Sequence, residues 1–316
     1  MASNFLNRSL PSAALAFAAA IVLLAAAGCG TSSATSVTSA KKQTLGSHRA
    51  KLVVVGDIAC APGTVEANSC RQQQTADLTA SLHPDRVLAL GDLQYQEGTL
   101  EAFNEAYNAS WGQFRSKTFP VPGNHEYYTP NATGYYDYFG SLAGDRTKGW
   151  HATTIGGWRV IGLNSNCAPV GGCQAGSAQS AWLANDLKKN AKRCTMALWH
   201  HPRFSTGPHG DNGSMADLWS QLQAKSAEVV FAGHDHDYER FAPMTSSGAR
   251  STKGLASFVV GTGGRSLYPL ISSNPATRAS KIAYGVLQLD LYTRGYNWAF
   301  KTLDGKTFDK GHAYCR

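Results

Sequence analysis

The chain has 316 residues, of which 43% are hydrophobic and 16% are charged, and its formal net charge is +8. This composition excludes a disordered chain, and the length allows one or two domains with a full hydrophobic core. A basic surface attracts anionic substrates or polymers. A solvated surface that binds no partner explains the positive net charge equally well, because no long run of Lys and Arg is present. We therefore expect no specific nucleic-acid partner.

The first 29 residues have the pattern of a signal peptide. Arg8 lies in a short polar region, residues 13–27 are almost wholly apolar, and Gly28-Cys29 follows. The apolar run is shorter than the roughly 18–20 residues that span a membrane. It therefore predicts export, with an uncleaved N-terminal anchor as the alternative. Residues 30–50 are rich in Ser and Thr and predict a flexible linker, which leaves residues 51–316 as one catalytic domain.

The sequence Ala-Ala-Gly-Cys that ends at Cys29 resembles a bacterial lipobox, in which the cysteine is lipidated and becomes the mature N-terminus. Ala26 departs from that pattern, which usually has Leu at this position. Cleavage by an ordinary signal peptidase after an Ala-x-Ala sequence therefore remains open. The resemblance implies a secreted protein or a cell-envelope lipoprotein whose contact with the membrane is the lipid on Cys29.

Six cysteines remain when Cys29 is set aside. An even number of cysteines in an exported protein favours disulfides over zinc thiolates, and the chain has no Cys-x-x-Cys motif. Six cysteines allow 15 connectivities. Proximity in the sequence predicts the pairs Cys60–Cys70, Cys167–Cys173 and Cys194–Cys315.

Five short apolar runs have the pattern of buried strands. Residues 51–55 and 87–90 are joined by a predicted helix over residues 71–82, which makes a βαβ unit with a right-handed crossover. The other three runs are residues 118–122, 195–199 and 228–232. Ligands of open α/β sheets collect at the carboxyl ends of the strands. We therefore expect the polar side chains that follow these five runs to lie close together.

The remaining elements follow from local patterns. Apolar periodicity predicts helices over residues 100–114, 177–192 and 212–225. Gly156-Gly157 predicts a hairpin, and residues 256–262 and 285–308 alternate as strands, with a second hairpin at Asp304-Gly305. The aromatic stretch 127–139 is rich in Gly and Asn and predicts a surface excursion at the mouth of the site.

The side chains that follow the five strands are carboxylate, phenol, amide and imidazole groups, which form a hard-to-borderline set of metal ligands. They are Asp57, Asp92, Tyr95, Asn124, His200, His234 and His236, with His125 beside Asn124. Seven ligands are too many for one ion. Two ions about 3.5–4 Å apart that share the two oxygens of Asp92 would use all of them. A single histidine at a strand end is more often structural, so the inference depends on the whole group.

Five blocks of sequence contain these side chains. They are Gly56-Asp57, Gly91-Asp92-Leu93-Gln94-Tyr95, Gly123-Asn124-His125-Glu126, His200-His201-Pro202 and Gly233-His234-Asp235-His236. In this order they resemble the calcineurin-like metallophosphoesterase superfamily, and more narrowly the purple acid phosphatases. Most of the superfamily has Asp-x-His in the first block, where this chain has Ala59, and Tyr95 supplies the missing ligand. The resemblance implies an α/β fold of four layers, α-β-β-α, with two central mixed β-sheets.

The resemblance also implies two metal ions. The ligands of a ferric ion would be Asp57, Asp92, Tyr95 and His236. The ligands of a divalent ion (iron, zinc or manganese) would be Asp92, Asn124, His200 and His234. A phenolate suits a trivalent iron because both are hard.

Two histidines receive catalytic roles from the same resemblance. His125 matches the outer-sphere histidine of the family, and His209 falls in a variable loop where mammalian-type members place a second one. The implied reaction is hydrolysis of small phosphate monoesters by a metal-bound hydroxide, with these histidines binding the phosphate or protonating the leaving group. His201, Asp235 and Glu126 are interpreted as groups that orient neighbouring ligands.

Two other functions remain open on the sequence. One is a phosphodiesterase or nuclease on the same scaffold with two divalent ions. The other is a non-catalytic, disulfide-stapled surface protein. Arg203, Arg240 and Arg265 are further candidates for phosphate contacts, with an ordinary surface position as the more frequent alternative.

Overall fold

The computed structural model describes residues 43–64, 69–191 and 194–316. The predicted signal peptide and most of the predicted linker lie outside the described residues. The first strand begins at His48, so regular structure starts before Lys51, where we predicted the domain to begin. Within the described ranges, no helix combines the length and the apolar character needed to cross a membrane.

Thirteen strands in the described part of the chain form two mixed β-sheets. In chain order they are β1 (His48–Val55), β2 (Arg86–Ala89), β3 (Thr118–Pro120), β4 (His151–Ile155), β5 (Trp158–Gly162), β6 (Thr195–Leu198), β7 (Val229–Ala232), β8 (Tyr238–Met244), β9 (Leu255–Val260), β10 (Thr277–Lys281), β11 (Gly285–Tyr292), β12 (Gly295–Thr302) and β13 (Thr307–Tyr314). The first sheet has the order β13-β12-β11-β1-β2-β3 and the second β10-β8-β9-β7-β6-β5-β4. The parallel strands β1, β2 and β3 are neighbours, as are β5, β6, β7 and β9.

The helices cover the outer faces of the sheets. They are α1 (Gln72–Leu82), α2 (Leu100–Ala102), α3 (Asn108–Ser110), α4 (Thr133–Phe139), α5 (Ala178–Lys189) and α6 (Ala216–Ala224). A π-helical turn, Phe103–Tyr107, joins α2 to α3, and a 3-10 helix, Trp111–Lys117, follows. The predicted helix over residues 100–114 is therefore helical throughout, with three different hydrogen-bond periods.

Side chains along the central strands point alternately to the two faces of the sheet, and this divides the core into layers. Leu52 and Val54 of β1 belong to the core between the two sheets, together with Leu198 of β6. Val53 and Val55, which point the other way, pack in the core beneath α1 and α4. Successive side chains of a strand face opposite sides of the sheet, so an apolar run is buried on both.

The outer face of the second sheet is covered in the same way. Ala197 of β6 and Val230 of β7 pack with Leu187 of α5 and Trp219 of α6. The molecule therefore has the predicted four layers, α-β-β-α.

Helix α5 begins where the sequence predicts. The Ser177 hydroxyl caps its N-terminus by accepting a hydrogen bond from the backbone N–H of Ser180 at 3.2 Å. Asp186 is a charged residue of this helix that does not face water. It is 8% exposed and forms an ion pair with Arg159 of β5, because the carboxylate lies on the side of the helix that packs on the sheet.

The prediction of a surface excursion at residues 127–139 is wrong. Helix α4 buries all four of its aromatic side chains; they are Tyr135, Tyr136, Tyr138 and Phe139. The ring of Tyr138 stacks on that of Phe103, with 5.0 Å between centroids. Gly and Asn favour loops, but here large rings bury apolar area on the outer face of the first sheet, and that burial outweighs the local preference.

The three predicted disulfides are present, which confirms the pairing inferred from proximity. They are Cys60–Cys70, Cys167–Cys173 and Cys194–Cys315. The third pair spans 121 residues and joins the start of β6 to the end of the chain.

The buried Glu228 makes stability depend on pH. It precedes β7, is 7% exposed, and its carboxylate accepts hydrogen bonds from the backbone N–H groups of Thr195 at 2.6 Å and Arg316 at 3.2 Å. Burial raises the pKa of this carboxyl from 4.5 to about 7 in spite of these bonds. The folded state therefore holds this proton more tightly than the unfolded state, and stability is lost as pH rises from about 4.5 to about 7.

We expect Glu228→Gln to remove this loss. Relative to the wild type, the variant should gain up to about 3 kcal/mol in free energy of unfolding between pH 4.5 and pH 8, in addition to a pH-independent cost of about 1–3 kcal/mol because the amide removes one of the two acceptor oxygens. Urea unfolding at both pH values measures the difference. Glu101→Gln changes an exposed carboxylate and is the control. An equal effect of Glu228→Gln at the two pH values would contradict the expectation.

Candidate metal centre

Five strands deliver polar side chains to one edge of the two sheets. Asp57 follows β1, Asp92 follows β2, Asn124 follows β3, His200 follows β6 and His234 follows β7. Three of these residues have positive φ angles, of 59° at Asp57, 48° at Asp92 and 72° at His234. Such angles are uncommon for residues other than glycine, and they recur where a chain turns sharply to aim a functional side chain.

The first half of the centre gathers around the Tyr95 hydroxyl. This oxygen lies 2.9 Å from Asp57 Oδ1, 3.2 Å from Asp92 Oδ2 and 3.0 Å from His236 Nε2. His236 Nε2 also lies 3.3 Å from Asp57 Oδ1. The Tyr95 hydroxyl therefore contacts each of the other three residues predicted to hold a ferric ion.

The second half gathers around His200 Nε2. This nitrogen lies 3.2 Å from Asp92 Oδ2, 3.1 Å from Asn124 Oδ1 and 3.2 Å from His234 Nδ1. The four residues predicted to hold a divalent ion are likewise in contact. Asp92 belongs to both halves.

Backbone carbonyls orient two of the imidazoles. His200 Nδ1 donates to the Leu90 carbonyl at 2.9 Å, and His236 Nδ1 donates to the Ser266 carbonyl at 2.5 Å. Each ring therefore turns Nε2 towards the centre, and in the neutral ring this nitrogen presents a lone pair, the arrangement usual for a metal-binding histidine.

The centre is buried and negatively charged. Asp57 is 0% and Asp92 is 2% exposed. Burial opposes ionisation of Asp92, but His200 and His125 beside it hold the pKa of its carboxyl well below the usual range. Burial works against the charged form of His200 as well, yet Asp92 raises its pKa to about 9. The carboxylates therefore require positive charge beside them.

The donor set fits metal cations. Asp57, Asp92 and His200 each offer one ligand atom within 4.8 Å of the others, and His200, His201 and His234 form a second such group. Carboxylate, amide and imidazole donors suit hard and borderline ions. Burial, together with Asp57 and Asp92, raises the pKa of the Tyr95 phenol well above 10. Its phenolate is therefore favoured only beside a strong positive charge.

Two histidines lie just outside this group. His125 Nδ1 donates to the Gln96 carbonyl at 2.5 Å, and its Nε2 lies 3.8 Å from Asp92 Oδ2. His209 Nδ1 donates to Asp235 Oδ1 at 2.9 Å, its ring centroid is 4.1 Å from that of His234, and its side chain is 41% exposed. The hydrogen bond to Asp235 raises the pKa of His209 despite partial burial. Asp235 thus orients His209 rather than a ligand.

Glu126 organises the backbone of the centre. Its buried carboxylate accepts hydrogen bonds from the N–H groups of Asp92 at 2.9 Å, Leu93 at 2.9 Å, Gln94 at 3.3 Å and Gly123 at 2.7 Å. One side chain therefore joins the turn after β2 to the turn after β3. Burial and the charge of Asp92 raise the pKa of Glu126 to about 7.

The three arginines have different positions. Arg240 makes two hydrogen bonds to Asp309, and Arg203 donates to the Ser246 carbonyl, so both are engaged within the fold. Arg265 lies at the centre, with its guanidinium carbon 5.5 Å from the centroid of the Tyr95 ring.

The sequence analysis missed Tyr268 at this edge. Its ring stacks on His236 with 4.0 Å between centroids, and its backbone N–H donates to the His236 carbonyl at 3.0 Å. The available signal was the run Gly261-Thr262-Gly263-Gly264, which follows β9 as another strand exit. No residue in that run suggested a metal ligand, and in the loop beyond it only Arg265 received a role.

Comparison with known proteins identifies the class. The family model described as calcineurin-like phosphoesterase matches residues 50–238, which is more than half of the chain. The chain belongs to this family, whose members are hydrolases acting on phosphate esters.

Similar sequences include two purple acid phosphatases of Arabidopsis thaliana. Purple acid phosphatase 21 is 29% identical over 139 residues, which is 42% of this chain and 30% of the relative. Purple acid phosphatase 15 is 24% identical over 231 residues, which is 61% and 41% respectively. An uncharacterised protein of Mycobacterium tuberculosis is 30% identical over 189 residues, which is 46% of this chain and 35% of the relative. The chain thus spans between 30% and 41% of the length of these relatives.

Two solved structures share the fold. The purple acid phosphatase PPD1 of yellow lupin, Lupinus luteus, has a TM-score of 0.69 and 18% identity, covering 83% of this chain and 53% of the lupin chain. GAP50 of Plasmodium, described as the anchor in the inner membrane complex, has a TM-score of 0.61 and 15% identity, covering 85% and 90%. At these identities the likeness concerns the fold alone.

We expect Glu126→Gln to loosen the centre. The amide replaces one acceptor oxygen with a donor that faces backbone N–H groups, which leaves buried polar groups unpaired at a cost of about 1–3 kcal/mol. The melting temperature should fall, and Co²⁺ binding, followed by its visible absorption, should weaken about 10- to 100-fold. Glu97→Gln is the matched control, since Glu97 is exposed in the loop that follows β2. Equal Co²⁺ affinity of the two variants would refute this organising role.

Proposed function

We propose that the protein is an exported, binuclear metal-dependent phosphatase that hydrolyses small phosphate monoesters, as purple acid phosphatases do. One observation carries the proposal. Oδ2 of the buried Asp92 lies 3.2 Å from both the Tyr95 hydroxyl and His200 Nε2, so a single carboxylate contacts both halves of the centre. A carboxylate in that position suits a ligand shared by two cations.

We assign the two ions to the two halves of the centre. The ligands of the ferric ion are Asp57, Asp92, Tyr95 and His236. The ligands of the divalent ion (iron, zinc or manganese) are Asp92, Asn124, His200 and His234. When bound, such ions polarise a phosphoryl oxygen and lower the pKa of water. The phenol of Tyr95 favours the more highly charged ion, because strong positive charge is needed to displace its proton.

The side chains around the ions bind the substrate and move a proton. His125 turns Nε2 towards the centre and, when this nitrogen carries a proton, donates a hydrogen bond to a phosphate oxygen. His209 is held by Asp235 through Nδ1, which leaves Nε2 for the leaving group. Because the pKa of His209 is raised, its protonated form persists to higher pH than in a free imidazole, and it can protonate the leaving alkoxide.

Export is supported by the N-terminal pattern and by the disulfides. Residues 1–29 have the features of a signal peptide, with Cys29 as a possible site of lipidation. Three disulfides lie in the described domain, and such bonds form and persist in oxidising compartments. Metabolic labelling with a fatty acid separates a lipoprotein from a plainly secreted protein.

Two alternatives are separated from this proposal by simple assays. A phosphodiesterase would hydrolyse bis(4-nitrophenyl) phosphate faster than 4-nitrophenyl phosphate. A non-catalytic surface protein would hydrolyse neither; the described role of GAP50 as an anchor is a reminder that this fold alone does not establish catalysis. The complete Asp, Tyr, Asn and His donor set supports the enzyme.

We expect the purified, iron-loaded protein to be coloured through charge transfer from the Tyr95 phenolate. Tyr95→Phe should abolish the visible band, and Asp92→Asn should lower both metal content and monoester hydrolysis, the latter by at least about 100-fold, since both ions lose a ligand. Metal analysis, a visible spectrum and an assay with 4-nitrophenyl phosphate measure these effects.

Asp77→Asn is the control, because Asp77 is exposed on α1 and should leave colour, metal content and rate unchanged. A colourless iron-loaded wild type would rule out the ferric site at Tyr95. Unchanged metal content in Asp92→Asn would reject the binuclear centre.

A further inference from the structure

His201 lies beside the second half of the centre without being among its assigned ligands. Its ring centroid is 4.4 Å from that of His234 and 4.9 Å from that of His200. One ring nitrogen of each of these three histidines lies within 4.8 Å of the others. We predicted that His201 orients neighbouring ligands, but the contacts show that Ser165 orients His201.

The hydrogen bonds of Ser165 determine the tautomer of this ring. Its hydroxyl is buried, with Oγ 2.9 Å from the backbone nitrogen of His201 and 2.8 Å from His201 Nδ1. The backbone N–H donates to Oγ. The single hydroxyl proton then has Nδ1 as its acceptor, since buried hydroxyl groups rarely leave their proton unpaired. The neutral ring therefore carries its own proton on Nε2.

This tautomer is opposite to the tautomers of His125 and His209. Nδ1 of His125 donates to a carbonyl, and Nδ1 of His209 donates to a carboxylate, so Nε2 of each neutral ring is an acceptor. His201 presents an N–H in its neutral form. A protonated nitrogen cannot ligate a metal, and the positive end of an N–H is attracted to an anionic oxygen.

We propose that His201 is a third phosphate-binding residue, whose Nε2–H donates to an oxygen of a phosphate group at the centre and which Ser165 holds in the required tautomer. This inference rests on the proposed phosphatase function and adds a specific contact to it. A phosphate monoester has three terminal oxygens, and His201 supplies a donor on the side of His200 and His234. This donor belongs to the neutral ring and needs no added proton.

The test measures the affinity of the full-length, metal-loaded protein for inorganic phosphate by calorimetry. His201→Ala should raise the Kd about 10- to 100-fold, because a hydrogen bond to a charged group is lost, while metal content stays unchanged. His201→Gln keeps an N–H donor of similar reach and should recover most of the affinity. Ser165→Ala should raise the Kd by a smaller factor, because the ring can then adopt either tautomer.

His151→Ala is the matched control. His151 is also partly buried, but its Nε2 faces the Pro120 carbonyl at 2.9 Å, so the Kd for phosphate should not change. An unchanged Kd in His201→Ala overturns the proposal, and so does a loss of bound metal, which would make His201 a ligand. If His201→Ala does not fold, Ser165→Ala decides by the same measurement. A wild type that binds phosphate but hydrolyses no ester would reject the phosphatase function and leave the His201 contact standing.

Discussion

The buried carboxylate of Asp92 is the group on which the rest of the centre depends. It contacts Tyr95 and His200 through Oδ2, and its Oδ1 accepts the backbone N–H of His125 at 2.9 Å. A buried charge is unfavourable unless it is paired and hydrogen-bonded. The surrounding imidazoles, phenol and amide satisfy this requirement in part, and metal cations satisfy it fully. The same constraint thus selects the residue types and brings them together.

The scaffold maintains this arrangement through hydrogen bonds from residues outside the assigned ligand sets. Glu126 joins two strand exits through their backbone N–H groups, Ser165 sets the tautomer of His201, and Asp235 holds His209. None of these three groups is assigned to an ion. A centre supported in this way needs little rearrangement when it binds charge, which is the source of catalytic preorganisation.

The histidines at this edge divide into groups with different hydrogen-bond roles. His200 and His236 face the centre with a lone pair because their Nδ1 atoms donate to carbonyls. His201 differs, because its Nδ1 accepts from the Ser165 hydroxyl and the proton of the neutral ring is then on Nε2. The same side chain can therefore offer a lone pair or an N–H, according to the partner of its second nitrogen.

The sequence by itself determined which side chains meet and at which edge of the fold. Asp57, Asp92, Asn124, His200 and His234 each follow a short apolar run, and exits of parallel strands share an edge, so local patterns were sufficient. The four layers followed from the resemblance that these motifs carry. Only the tertiary structure decided the burial of Tyr135 to Phe139, the stacking of Tyr268 on His236 and the pairing of Ser165 with His201. These contacts join elements about 30 or more residues apart, so packing chooses the partner and no local pattern encodes it.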